Sequence, residues 1–181
     1  INGIHKSDFE YAHEMGFTIK HLAVAKLTNN SIDLRAHPAL VKLDSYLANL
    51  KGVRNGIEVE TDLLGTLHIA GSGAGQEATA SGVISDLIYL SDSKIKDVNN
   101  INESIELVKF IDLNFQYYFY IEASDVSDII PSISSIFTNK GVNIESISQK
   151  ENLNNDLVPI IIITDLLKEK DHHELVNNLL E

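Results

Sequence analysis

Phe115-Gln116-Tyr117-Tyr118-Phe119-Tyr120-Ile121-Glu122-Ala123 is the stretch from which the fold can be read. Side chains alternate across an extended strand, so Tyr117, Phe119, Ile121 and Ala123 share one face, and Gln116, Tyr118, Tyr120 and Glu122 share the other. The period then changes. Ile129, Ile130, Ile133, Ile136 and Phe137 recur at helical spacing, which predicts a helix over residues 128–140 with Gly141 as its stop. Val142 to Lys150 reads as a strand, Asn152 to Asp156 as a turn and Leu157 to Asp165 as another strand. A last helix is expected from Lys170 to the end, with Leu175, Val176, Leu179 and Leu180 inward. The order is β-α-β-β-α, a ferredoxin-like unit short of its final strand. A sheet lacking that strand has a bare edge, which favours pairing with a partner chain.

Moving toward the N-terminus, residues 91–114 are rich in Ser, Asp, Asn and Lys and read as a connection, with a short helix at 102–108. Before it, a helix is expected from Ala78 to Leu90, opening out of the chain's one glycine cluster, Gly71-Ser72-Gly73-Ala74-Gly75. A hairpin leads into that cluster: Gly56 to Thr61, a turn at Asp62-Leu63-Leu64-Gly65, and Thr66 to Ala70. Further back, a helical stretch at Asp44 to Leu50 ends at Gly52. A strand at Ile32 to Ala36 ends at Pro38, with Ile32, Leu34 and Ala36 on one face and Asp33 and Arg35 on the other. A strand at Ile19 to Lys26 precedes it. The first helix, residues 7–16, has Ser7 and Glu10 as a capping box and Gly16 as its stop.

The expected architecture is α+β. A mixed β-sheet with helices on one face occupies residues 1–92, 93–113 form a linker, and a βαββα unit occupies 114–181. At 181 residues, each part sits near the lower limit for a self-sufficient core. The 14 Lys and Arg face 26 Asp and Glu, a formal net charge of −12 that repels phosphate backbones, so nucleic acid is not an expected partner. No apolar run approaches the ~20 residues that span a bilayer, and no signal peptide opens the chain. The absence of cysteine removes disulfides and thiolate metal sites, and a reducing cytoplasm is the expected location. Ile1-Asn2-Gly3-Ile4-His5-Lys6, without a Met, is expected to be an internal edge of a longer protein.

Four motifs in one order resemble the homoserine dehydrogenase family: AHEMGFTIKHLAVAK (12–26), RAHPAL (35–40), VRNGI (53–57) and GSGAGQEATASGVISDLI (71–88). Downstream, GVNIESISQK (141–150) is similar to the ACT regulatory domain at the C-terminus of bacterial members. That family interconverts L-homoserine and L-aspartate 4-semialdehyde with NAD or NADP, in threonine, methionine and isoleucine biosynthesis. The resemblance implies that the Rossmann domain, the catalytic lysine and the acidic residues lie upstream. It therefore implies no catalytic residue in this chain, no tightly bound cofactor, inactivity in isolation, and partnership with a nucleotide-binding domain and a twin subunit.

Among the residues themselves, the glycine cluster has the sharpest chemistry. Glycines permit positive φ and close backbone approach, and a following helix offers free amides. It is not a dinucleotide fingerprint, because Gln76 takes the third glycine's place, the helix starts late and Glu77 opposes a bare phosphate. By residues alone it could be a packing-only hairpin exit. The resemblance implies cofactor contact, at Gly73 first and with Ala74, Gly75 and Thr79. His37 is read as a polar strand-end group rather than a proton carrier. Lys20 and Lys26 are read as solvated or interface charges. No metal site is expected at His172-His173, which stand about 100° apart on a helix. In the ACT half, the resemblance places effector contacts at Asp125, Asn143 and Gln149. There the family's "D-x-P-G-V" is replaced by Asp125-Val126-Ser127-Asp128-Ile129, which weakens the expectation of threonine sensing. Asp125 or Ser127 could instead cap the helix. An alternative from another class is a non-catalytic, amino-acid-sensing dimerisation module.

Overall fold

The structure, a computed structural model, describes residues 3–28, 30–92, 105–124, 128–150 and 157–180. In chain order the elements are α1 (Lys6–Glu14), β1 (Phe17–Thr28), β2 (Ser31–Lys42), a 3-10 turn (Leu47–Asn49), β3 (Arg54–Thr61), β4 (Gly65–Ser72) and α2 (Gln76–Asp92). There follow β5 (Glu106–Leu107), a second 3-10 turn (Phe110–Asp112), β6 (Asn114–Phe115), β7 (Tyr118–Ser124), α3 (Ile129–Asn139), β8 (Ile144–Gln149), β9 (Leu157–Thr164), β10 (Leu167–Lys168) and α4 (Glu169–Leu179). The class is mixed α+β. The chain divides into two units, one of Ile1–Tyr11, His21–Pro38 and Ile105–Glu181, the other of Ala12–Lys20 and Ala39–Ser104.

In the first unit, β7 and β8 both pair antiparallel with β9, giving the strand order β7-β9-β8. The alternation read from the sequence places Phe119 in the core, with Tyr117, Ile121 and Ala123 packed beside it. Ile133 and Phe137 of α3, Ile160 and Ile162 of β9, Val142, Leu167 and Leu175 of α4 complete that cluster. Each such side chain contributes about 1.5–3 kcal/mol by leaving water. Ile161 and Ile163 face the other way and are also buried. They pair with Tyr120 and Tyr118, whose rings meet α1: Tyr118 donates to Asp8 Oδ1 (3.0 Å), and Tyr120 stacks on Tyr11 (6.1 Å). A strand covered on both faces needs no polar alternation, which is why β9 reads as an unbroken run of isoleucines.

The expected strand over 115–123 is split. Phe115 pairs with Leu167 of β10, and the ladder to β9 resumes at Tyr118. Between them the buried Thr164 takes over the pairing, its Oγ1 accepting from Tyr117 N–H and its N–H donating to Tyr117 O, both at 3.0 Å. At α1 the capping carboxylate is Asp8, which accepts from the His5 amide (2.6 Å), while Glu10 pairs with Lys6. With Ser7 as cap the helix would begin at Asp8; it begins two residues earlier, at Lys6, which moves the third helical position from Glu10 to Asp8. Of the predicted C-terminal helix, Leu175 is buried but Leu180 is 81% exposed.

β2 does not stop at Pro38 but runs to Lys42. Among the described residues its pairing with β5 is parallel and joins Ser31↔Glu106 and Ile32↔Leu107. Proline is tolerated where a strand's amide need not donate to a neighbour. Residues 106–107 are extended where a helix over 102–108 was expected, and residues 102–104 lie outside those described, as does the Asn152–Asp156 turn. The mixed sheet expected for the first half is two separate ladders. β1-β2-β5 is one, and β3-β4 is an independent two-stranded hairpin. The Asp44–Leu50 stretch forms only the short 3-10 turn, with Ala48 buried. That turn packs tightly: a Cβ on Gly56 would fall 2.2 Å from Leu50 Cδ1.

Candidate functional site

The hairpin register, Arg54↔Ser72 and Asn55↔Gly71, delivers the glycine segment beside Asn55. Gly73 N–H donates to Val53 O (2.8 Å), carrying the pairing one step past the end of β4. A Cβ on Gly73 would stand 1.6 Å from Asn55 Nδ2, so only glycine lets the backbone lie against that side chain. Gly75 turns the chain with φ +112°, and α2 begins at the next residue, Gln76, rather than at Ala78. Thr79 seals the first turn, its amide and hydroxyl both donating to Gly75 O at 3.0 Å. The structure therefore brings Gly73, Ala74, Gly75 and Thr79 into one exposed turn. It commits the Thr79 hydroxyl to the backbone, and it adds Asn55. The VRNGI motif contained Asn55, but only the antiparallel register shows what it faces. Helix-opening amides at an exposed, glycine-tight turn fit close approach by a planar or polar ligand. Glu77 in the same first turn makes the place unsuited to a bare phosphate.

β2 presents its polar side inward. Asp33 is buried and ion-paired with Arg35, whose guanidinium lies 5.1 Å from the Phe115 ring centre. Arg35 Nε donates to His37 Nε2 (3.1 Å), which leaves Nδ1 of that ring as the donor to Pro38 O (2.9 Å). His37 is thus held in a structural network within the strand, not at its end. Lys20 is likewise engaged, its amine donating to Leu50 O.

Of the expected effector contacts, Asp125 lies outside the described residues. β7 and β8 both run antiparallel to β9, hence parallel to each other. Gln149, at the end of β8, shares the sheet end where β7 runs out, whereas Asn143, just before β8, is at the opposite end. Six residues of strand separate them, about 20 Å, so a single free amino acid cannot touch both within one sheet.

A further cluster gathers at the start of α4. Tyr117 donates to Glu169 Oε2, and the His172 ring stacks on Tyr117 at 4.1 Å with planes 13° apart. Glu169 Oε1 lies 3.8 Å from His172 Nδ1 and 3.3 Å from His173 Nε2. Burial first, and then the bond to Glu169, push the Tyr117 hydroxyl well above the usual tyrosine range. Burial lowers the His172 pKa, with the Glu169 charge opposing it and His173 assisting. The sequence does place the two histidines 100° apart, but it also spaces Glu169 three and four residues before them, and that is the spacing that converges on a helix.

Comparison with known proteins gives these sites a context. Residues 1–88 match the family described as homoserine dehydrogenase. Curated homoserine dehydrogenases match along nearly the whole chain. That of Pseudomonas aeruginosa is 34% identical, and that of Helicobacter pylori 33%, each over 94% of this chain and 42% of the relative. A crystal structure of a homoserine dehydrogenase from Thiobacillus denitrificans superimposes with a TM-score of 0.80 at 26% identity, over 99% of this chain and 42% of that one. The Staphylococcus aureus homoserine dehydrogenase at pH 7.0 shares the fold with a TM-score of 0.60 at 21% identity. The chain thus spans about two-fifths of the length of the relatives it matches. By residues 1–88, and by relatives that follow it beyond them, this chain belongs to the homoserine dehydrogenase family.

Proposed function

We propose that this chain is the cofactor-closing and dimer-forming part of an NAD(P)-dependent homoserine dehydrogenase, which interconverts L-homoserine and L-aspartate 4-semialdehyde, followed by an ACT-type regulatory domain over residues 114–181. The nicotinamide cofactor supplies the hydride chemistry in such an enzyme. The nucleotide-binding domain and the reacting groups lie upstream of this chain, whose share is to press the turn Gly73-Ala74-Gly75 and the start of α2 against the bound cofactor. The observation that carries the reading is the turn itself: exposed, stripped of side chain at Gly73 and braced by Asn55.

The surroundings support a missing neighbour. Ile84, Leu87 and Ile88 of α2, and Ile57 and Ile69 of the β3-β4 hairpin, are all more than half exposed. Apolar residues at this density on one helix and one hairpin are the signature of faces meant for another domain or subunit. The βαββα order with sheet order β7-β9-β8 supports the ACT assignment, since a fourth strand beside β7 would complete it.

The test is Gly73→Ala in the full-length enzyme that includes this chain. The added methyl must displace Asn55 or the turn, so the KM for NAD(P) should rise about tenfold, ~1.4 kcal/mol of cofactor binding. An unchanged cofactor KM would remove the turn from the cofactor site. A full-length enzyme with no homoserine-dependent reduction of NAD(P) would overturn the whole assignment.

A further inference from the structure

We propose that Glu169, His172 and His173 bind one divalent transition-metal ion of the Zn2+ class, a site independent of the dehydrogenase reading. All three come from the first turns of α4, at positions i, i+3 and i+4, the spacing that stacks side chains over one another on a helix. One ligand atom from each lies within 4.8 Å of the others. The separations from Glu169 Oε1 to the two imidazole nitrogens, 3.8 and 3.3 Å, resemble the edge of a zinc coordination shell. Bonds of 2.0–2.1 Å in tetrahedral array put neighbouring ligand atoms about 3.3 Å apart.

Two further features point to a ligand. His172 Nδ1 is buried and has no hydrogen-bond partner among the described residues. An unsatisfied buried polar nitrogen is costly, and a metal ion at this place would satisfy it. The residues behind the site do what outer-shell groups do. The Tyr117 hydroxyl occupies Glu169 Oε2 and leaves Oε1 turned to the imidazoles, while the Tyr117 ring, stacked on His172, fixes that imidazole's plane. The His173 side chain is 68% exposed and gives an ion its route in, with solvent available as the fourth ligand. Two imidazoles and a carboxylate suit Zn2+, Co2+ or Ni2+, and are too nitrogen-rich for Mg2+ or Ca2+.

Co2+ is the probe. Titrated into the intact chain, it should give the visible absorption of a tetrahedral nitrogen–oxygen site, saturating at one equivalent and bleached by Zn2+. His173→Ala alters an exposed side chain outside the core, so the variant should fold and lose the band. Tyr117→Phe keeps the ring stack and removes only the hydroxyl. It should keep the band and weaken Co2+ affinity about 10- to 100-fold. No saturable band in the intact chain, or an identical band and affinity in His173→Ala, would overturn the site. Unchanged affinity in Tyr117→Phe would overturn the positioning role of that hydroxyl.

Discussion

Asp8 is buried, and both of its oxygens are used: Oδ2 closes the start of α1 through the His5 amide, and Oδ1 accepts the Tyr118 hydroxyl at 3.0 Å. One carboxylate therefore ties a helix cap to the central sheet of its unit. Burial, the hydrogen bond to Asp8 and the Asp8 charge raise the pKa of Tyr118 beyond the usual tyrosine range, and burial with the Glu122 bond pushes Tyr120 up to about 12. A raised folded-state value means the native state holds these protons longer than the unfolded chain does. The associated stability is fully present below the unfolded value near ~10 and is lost as pH rises through the folded one. Thermal melts above pH ~10 should therefore show a falling Tm. Tyr118→Phe should start lower, having lost the bond to Asp8, and fall less steeply. Parallel slopes for the two proteins would show that Tyr118 is not a source of the alkaline sensitivity. At this scale the sequence was only partly legible. A capping box was visible, but the choice between Glu10 and Asp8 depended on where the helix began. The convergence of Glu169 with His172 and His173 depended on a tyrosine 52 residues away that orients the carboxylate.

Among the elements, the strands differ in what covers them, and substitution should expose the difference. Ile162 in β9 is fully buried in the core cluster, whereas Ile147, its direct partner in β8, is 37% exposed. Ile162→Ala removes packed atoms and leaves a cavity, for an expected loss of about 2–5 kcal/mol. Ile147→Ala should cost no more than about 1 kcal/mol. Urea unfolding of the two variants measures this, and equal losses would mean that β8 is as well covered as the central strand β9. Period-2 and period-3.6 patterns located β7, α3, β8 and α4, because each buries a regular stripe against its neighbours, and an unbroken apolar run located β9. The same patterns failed where a local exception decided the outcome. Thr164 interrupts the ladder at Tyr117, and Pro38 is carried through β2. On β2, Leu34 is exposed and Asp33 buried, an inversion that no pattern of hydrophobicity predicts.

Across the whole molecule, the core cluster of buried residues is confined to residues 119–175, while the glycine turn, its hairpin and α2 offer apolar surface to solvent. Regulation and closure would then fall to different parts of one chain. If residues 114–181 sense an amino acid, the intact chain should gain thermal stability with one of threonine, isoleucine, methionine or lysine. A ligand at 100 times its Kd stabilises by about 2.7 kcal/mol, and the absence of a Tm shift with all four would argue against a working effector site. The family was legible in the sequence because four motifs kept their order between residues 12 and 88. The candidate site was legible only in outline. Its glycines stood out, but Asn55 was hidden by being far upstream of Gly73 and reached only through the hairpin register.

That pairing has a consequence for how such a chain can change over generations. With Gly73 lying against the Asn55 amide, the two positions are not free to drift separately. A descendant that acquires any larger residue at 73 must turn aside or shrink the side chain at 55, and the hairpin that aligns them passes both on as a single inherited unit.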